Sequence, residues 1–133
     1  MNEDEIRMYT GEASSIRAAQ NLLSLGPEFI IVKKGAHGAL LATQWGVDAL
    51  PAYPVARVCD PTGAGDSFAG GFLGYLGAAP SIRDRETLKR ALARAACVAS
   101  FNVEDFGAAR LESLTAEEFQ HRVREYARML SIG

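Results

Sequence analysis

The chain has 133 residues, 48% of them hydrophobic and 23% charged, which is material for about one domain with one core. Its formal net charge of −2 gives no electrostatic case for nucleic acid or an anionic membrane surface. No apolar run approaches a membrane span, and the acidic start Asn2-Glu3-Asp4-Glu5 does not read as a signal peptide, so the expected compartment is the cytoplasm.

Asn2 and Glu5 have the spacing of a capping box, so a helix is expected to start there and to stop at Gly11. A second helix fits residues 14–25, with Ile16, Ala19, Leu22 and Leu23 on one face and Gly26-Pro27 after it. Phe29-Ile30-Ile31-Val32 is a short β-branched run, the pattern of a strand buried on both faces, as in a parallel sheet. Residues 33–38 read as a turn. Residues 39–42 and 46–55 read as two strands of an antiparallel edge, where Pro51 and Pro54 are tolerated. A glycine-rich turn at 60–66 runs into an apolar helix over 67–76, and a further helix fits 84–101. The last helix begins at Thr115, where Glu118 completes a second capping box, and runs to about residue 130. Cys59 and Cys97 sit in apolar surroundings and read as small buried residues, not as a disulfide scaffold. Helices interleaved with strands indicate a layered α/β fold.

Asp60-Pro61-Thr62-Gly63-Ala64-Gly65-Asp66 carries the chemistry. A helix start offers unpaired N–H groups and the positive end of a dipole. Gly63, Ala64 and Gly65 let an anion approach those groups closely. Thr62 can cap the turn or aim its hydroxyl at the anion. Asp66, in the first helical turn, could take a proton from an attacking hydroxyl. The same residues also make an ordinary turn with Asp66 complementing the dipole, and spacing alone leaves both readings open.

The longer string Asp60 to Phe68, followed by Gly70-Gly71-Phe72, resembles the C-terminal signature of the ribokinase-like, or PfkB, carbohydrate kinases. The resemblance implies an α/β/α three-layer sandwich with a mainly parallel sheet and an antiparallel edge hairpin. It implies phosphoryl transfer from ATP, with magnesium, to a hydroxyl of a sugar. The alternatives are a nucleoside acceptor or a non-catalytic nucleotide-binding remnant. Asp66 matches the family's general base, and Gly63, Ala64 and Gly65 its anion hole. Asp60 and Thr62 match a monovalent-cation site, potassium in type, which Ala99 and Gly107 would complete with carbonyl groups.

Asn2 and Glu5 resemble the family's Asn-x-x-Glu motif, which organises phosphates and magnesium, Glu5 acting indirectly. Lys33 and Gly35 follow the first strand at its C-terminal end, where ligands of open α/β sheets bind, and a lysine there can meet phosphate as a point charge. Gly38 falls in the same nucleotide-side loop, while Lys34 and His37 read as solvated neighbours. Ala93 and Ala96, on the alanine-rich helix, resemble the lining of the family's adenine pocket. The resemblance spans the whole chain but only the C-terminal part of the family's pattern. It therefore implies that the N-terminal half and its lid are absent, that residues 1–133 alone are inactive, and that the exposed sheet edge either pairs with a second copy or belongs to a longer protein.

Overall fold

A computed structural model describes residues 1–132. The first helix, α1 (Glu3–Thr10), starts at Asn2, whose side-chain oxygen accepts the Glu5 N–H at 2.7 Å while the Glu5 carboxylate accepts the Asn2 N–H at 2.8 Å. The capping box is thus formed, and Gly11 ends the helix in the left-handed region. Helix α2 (Ser15–Leu23) buries Ser15, Ala18, Ala19 and Leu22, a stripe at helical spacing. Ile16, expected on that face, lies outside the stripe and is 45% exposed.

Three strands follow: β1 (Phe29–Lys33), β2 (Ala39–Thr43) and β3 (Gly46–Leu50). They form an antiparallel sheet in the order β1-β2-β3. The expected mainly parallel sheet is not found among the described residues. Among them the single parallel pairing is a bridge from Asn2 to Lys33. The reason is the link between β1 and β2, which is only residues 34–38 and includes one 3-10 turn, Gly35–His37. That is too short for a parallel crossover, which takes about a dozen residues or more. The burial expected of β1 belongs instead to β2, all five of whose residues are buried, whereas β1 fully buries only Val32. The third strand stops at Leu50, and Pro51 onward lies outside the ladder.

The sheet is covered on both faces. Leu40 and Ala42 of β2 point with Val32 toward Ile6, Ala18, Ala19 and Leu22 of the first two helices. Ala39 and Leu41 point the other way, alternating as strand residues do. There they meet α3 (Ala64–Ala78), α4 (Arg85–Asn102) and α6 (Ala116–Leu130), through Phe68, Phe72, Leu88, Leu92 and Tyr126. This is the α/β/α layering expected from the sequence. A one-turn helix, α5 (Ala109–Glu112), which the sequence pattern did not mark, links α4 to α6. Gly71 lets α3 and α4 close up, since a Cβ there would stand 2.9 Å from Val98 Cγ2 and 3.2 Å from Ala95 Cα. Cys59 and Cys97 are free thiols, and burial pushes that of Cys97 up to about 11. Among the described residues no helix is long and apolar enough to cross a membrane.

Candidate nucleotide and phosphate site

The layers bring the C-terminal end of β1 against the N-terminus of α3. Helices α1, α2, α4 and α6 are capped by Asn2, Ser14, Asp84 and Thr115, but Gly63 at the start of α3 offers no side-chain cap. Gly63 has φ +80°, the left-handed conformation that glycine adopts without strain. The Ala64 N–H is used, donating to the Pro61 carbonyl at 3.2 Å. The N–H groups of Gly63, Gly65 and Asp66 find no protein acceptor among the described residues. Of the three residues expected to form the anion hole, Ala64 thus contributes its small size and not a free donor. The Asp66 N–H, which sequence reasoning did not single out, is the third free donor at this helix start.

Lys33 reaches this helix start. A Cβ on Gly65 would stand 2.9 Å from Lys33 Nζ. The neighbouring Lys34 is occupied by Glu3 at 3.6 Å, whereas Lys33 has no carboxylate at ion-pair distance among the described residues. An ammonium and free N–H groups therefore converge at the positive end of a 15-residue helix, where Asp66 is the one acidic residue of the first turn. The arrangement suits an anion. Asp66 is exposed on the first turn of α3.

The turn itself is held from α4. Asn102, 3% exposed, donates from Nδ2 to the Thr62 carbonyl at 2.9 Å. The Val103 carbonyl accepts the N–H groups of Cys59 at 2.7 Å and Asp60 at 3.3 Å. Asp60 Oδ1 accepts the Thr62 N–H at 2.9 Å. That bond, then one from the Thr62 side chain, then the Gly107 N–H, hold the Asp60 carboxyl below its usual range. Asp60, Thr62 and Gly107 are therefore brought together. Gly107, however, turns its N–H toward Asp60, not a carbonyl, and the Ala99 carbonyl already accepts the Val103 N–H at 3.3 Å.

Asn2 enters the site through its bridge to Lys33. Its capping box with Glu5 uses one oxygen of each side chain, leaving Glu5 Oε1 as a hard oxygen donor. No three His, Cys, Asp or Glu side chains cluster to hold a metal among the described residues. This donor set fits an indirect, water-mediated contact to magnesium carried by phosphates and does not make a cage for the ion.

A cavity of about 750 Å³ opens beside the anion site. Asn2, Lys33, Gly35, Gly38, Ala64, Gly65, Ala96 and Ala99 line it, so most of the expected nucleotide-side residues share one space. Ala93 does not; it packs against the core. Leu92, Ala96, Ala99 and Ser100 of α4 line the cavity, with Val103 just past the end of the helix. His37 is exposed and outside the lining. Gly38 has φ +94°, and a Cβ there would stand 2.0 Å from the Leu50 carbonyl oxygen, so close backbone packing requires it. The opposite wall is the segment from Pro51 through Val55 with Val58, which carries no polar motif and gave no sequence signal beyond its two prolines.

A family model described as pfkB family carbohydrate kinase matches residues 1–114. The ribokinase of Mus musculus is 34% identical over 97 residues, 67% of this chain and 29% of the relative. Among solved structures, a double mutant of the Vibrio cholerae O395 fructokinase, in a form bound to fructose, ADP and potassium, superposes with a TM-score of 0.81 at 26% identity, over 92% of this chain and 39% of that one. The aminoimidazole riboside kinase of Salmonella enterica, complexed with aminoimidazole riboside and an ATP analogue, gives 0.78 at 32% identity, over 92% and 40%. The chain spans 29%, 25% and 36% of three curated relatives that it matches.

Proposed function

We propose, because this chain belongs to the pfkB family of carbohydrate kinases, that it forms the ATP side of a kinase that phosphorylates a hydroxyl of a sugar. The observation that carries the reading is the convergence of Lys33 with the uncapped start of α3 beside a cavity large enough for a nucleotide.

In this reading the terminal phosphates of ATP lie on the N–H groups of Gly63, Gly65 and Asp66, with Lys33 against them. The purine lies along the small-residue face of Ala96 and Ala99. The acceptor oxygen attacks the γ-phosphorus, the bond from phosphorus to the β–γ bridging oxygen breaks, and ADP leaves. The hydroxyl proton goes to the Asp66 carboxylate, which is exposed at the same helix start. The fixed donors neutralise charge that spreads over the transferring group, which is where electrostatic preorganisation contributes most. Magnesium, when bound, neutralises the phosphates; Asn2 and Glu5 would hold its water shell. Potassium would sit by Asp60 and Thr62. The proposed setting is the cytoplasm, where ATP is available.

A nucleoside is the second acceptor proposed, since an aminoimidazole riboside kinase and a Thermococcus kodakarensis cytidine kinase are both among the relatives, each 36% identical over the matched stretch. The competing reading is a nucleotide-binding unit without transfer. It is favoured by the position of Asp66, which lies outside the cavity lining. ADP release from ATP and magnesium over a panel of sugars and nucleosides decides between them, with Asp66→Asn beside the unaltered protein. Loss of transfer with ATP binding kept supports the base. Undiminished transfer in the variant removes it, and binding without release for any acceptor supports the competing reading.

We also propose self-association along the outer edge of β1, which among the described residues is met by Met1 and Asn2 at Ile31 and Lys33 and is otherwise unpaired. Light scattering that gives a monomer at every concentration would remove this proposal.

A further inference from the structure

Helix α6 lies beyond the residues matched by the family model, yet it braces the nucleotide-side wall. Its Tyr126 hydroxyl donates to the Pro51 carbonyl, and its Glu125 accepts the Tyr53 hydroxyl at 3.0 Å. Arg122 does more. Its Nη1 donates to Ser100 Oγ at 3.0 Å, and Ser100 in turn donates to the Cys97 carbonyl at 2.6 Å. The guanidinium lies over the Phe101 ring at 3.4 Å from the centroid and over the Tyr53 ring at 4.8 Å. It also pairs with Glu104, in the loop that holds the 59–62 turn. Tyr53 and Ser100 both line the cavity.

We propose that Arg122 is a positioning residue for the nucleotide: one guanidinium fixes the Ser100 and Tyr53 walls of the cavity. The inference rests on the reading of that cavity as the ATP site. The physical case is the shape of the group. A planar fork can stack on two rings and still donate in its own plane, which an ammonium cannot do. Its side chain is 16% exposed, so these contacts are made largely out of water, where they are strongest. With the Ser100 hydrogen committed to Cys97 and one lone pair to Arg122, the hydroxyl presents a single fixed orientation to the cavity. Without the stack, Tyr53 keeps Glu125 and the Tyr126 ring at 6.0 Å but loses the group that ties it to Ser100.

This role separates from simple structural support by what it binds. Tripolyphosphate reads only the anion turn, where Lys33 and Gly65 lie, while ATP reads the turn and the wall. Both are titrated calorimetrically into the 133-residue chain and into Arg122→Met and Arg122→Lys. Glu104 keeps Arg110 at 3.6 Å in either variant, so no carboxylate is stranded. The expected result is ATP affinity lower by about tenfold in Arg122→Met, with tripolyphosphate affinity within about twofold of the unaltered chain. Arg122→Lys, which keeps the charge, is expected to fall short of full ATP affinity as well.

Unchanged ATP affinity in both variants would overturn the inference. So would equal loss of both ligands together with a lowered melting temperature, which is the signature of general destabilisation. If Arg122→Met does not fold, Arg122→Lys alone decides: full ATP affinity there overturns the role of the planar fork. An unaltered chain that binds neither ligand would instead overturn the cavity's reading as the ATP site, and this inference with it.

Discussion

Lys33 Nζ lies 2.9 Å from the point that a Cβ on Gly65 would occupy. The end of β1 and the start of α3 therefore meet through one ammonium and one missing side chain. Gly65→Ala is expected to fold at least as well as the unaltered chain, because the obstacle is the tip of a flexible side chain and alanine favours a helix over glycine by about 1 kcal/mol. Phosphate-chain binding is expected to weaken by about tenfold, because the ammonium is pushed off the turn. Melting temperature and ATP titration, read together, check both halves of this expectation.

The glycine pair inside α3 behaves differently at its two positions. A Cβ on Gly71 would stand 2.9 Å from Val98 Cγ2, whereas a Cβ on Gly70 meets nothing within 4 Å. Gly71→Ala should cost about 1–3 kcal/mol through overpacking of α3 on α4. Gly70→Ala should stabilise by up to about 1 kcal/mol. Urea unfolding of the two variants tests the contrast.

Gly38 and Gly35 make a second such pair. Both have positive φ, +94° and +55°, but only Gly38 is pressed against backbone, 2.0 Å from the Leu50 carbonyl oxygen to a built Cβ. Gly38→Ala should destabilise by more than about 3 kcal/mol and open the cavity wall. Gly35→Ala should cost about 1–2 kcal/mol, the left-handed penalty alone. Equal effects in denaturant unfolding would contradict this account.

Much of this was legible in the residues. The capping boxes at Asn2 and Thr115 formed because side chain and backbone satisfy each other locally, with no need of the rest of the chain. The 60–66 turn was legible for the same reason: its glycines and acids have chemistry that spacing exposes. The partners of β1 were not. An apolar run reports burial but not who covers it, and here the most buried strand is β2. Nor was the 51–58 wall legible, since Pro, Ala and Val carry no chemical mark. Asn102 and Arg122 escaped notice because their roles exist only once α4 and α6 fold back on the turn.

Glu118 carries the clearest acid dependence. The Thr115 N–H, then the Arg110 side chain, then the Thr115 side chain lower it from an ordinary 4.5 to about 2. A carboxyl with a depressed folded value stabilises the fold above its unfolded value, and that stability is lost as pH falls through the folded one. The melting-temperature gap between the unaltered chain and Glu118→Gln should be constant above about pH 5.5 and close between 4.5 and about 2. A gap that widens on acidification would contradict the assignment.

The central claim is that the start of α3 with Lys33 holds the phosphates of ATP while Asp66 serves only the transfer. Calorimetric titration of ATP with magnesium into the unaltered chain, Lys33→Met and Asp66→Asn tests it most directly. The account predicts a loss of tenfold or more for Lys33→Met, and binding at least as tight as the unaltered chain for Asp66→Asn, since a like charge beside the phosphates is removed. ATP binding untouched by Lys33→Met, or abolished by Asp66→Asn in a folded chain, would contradict it.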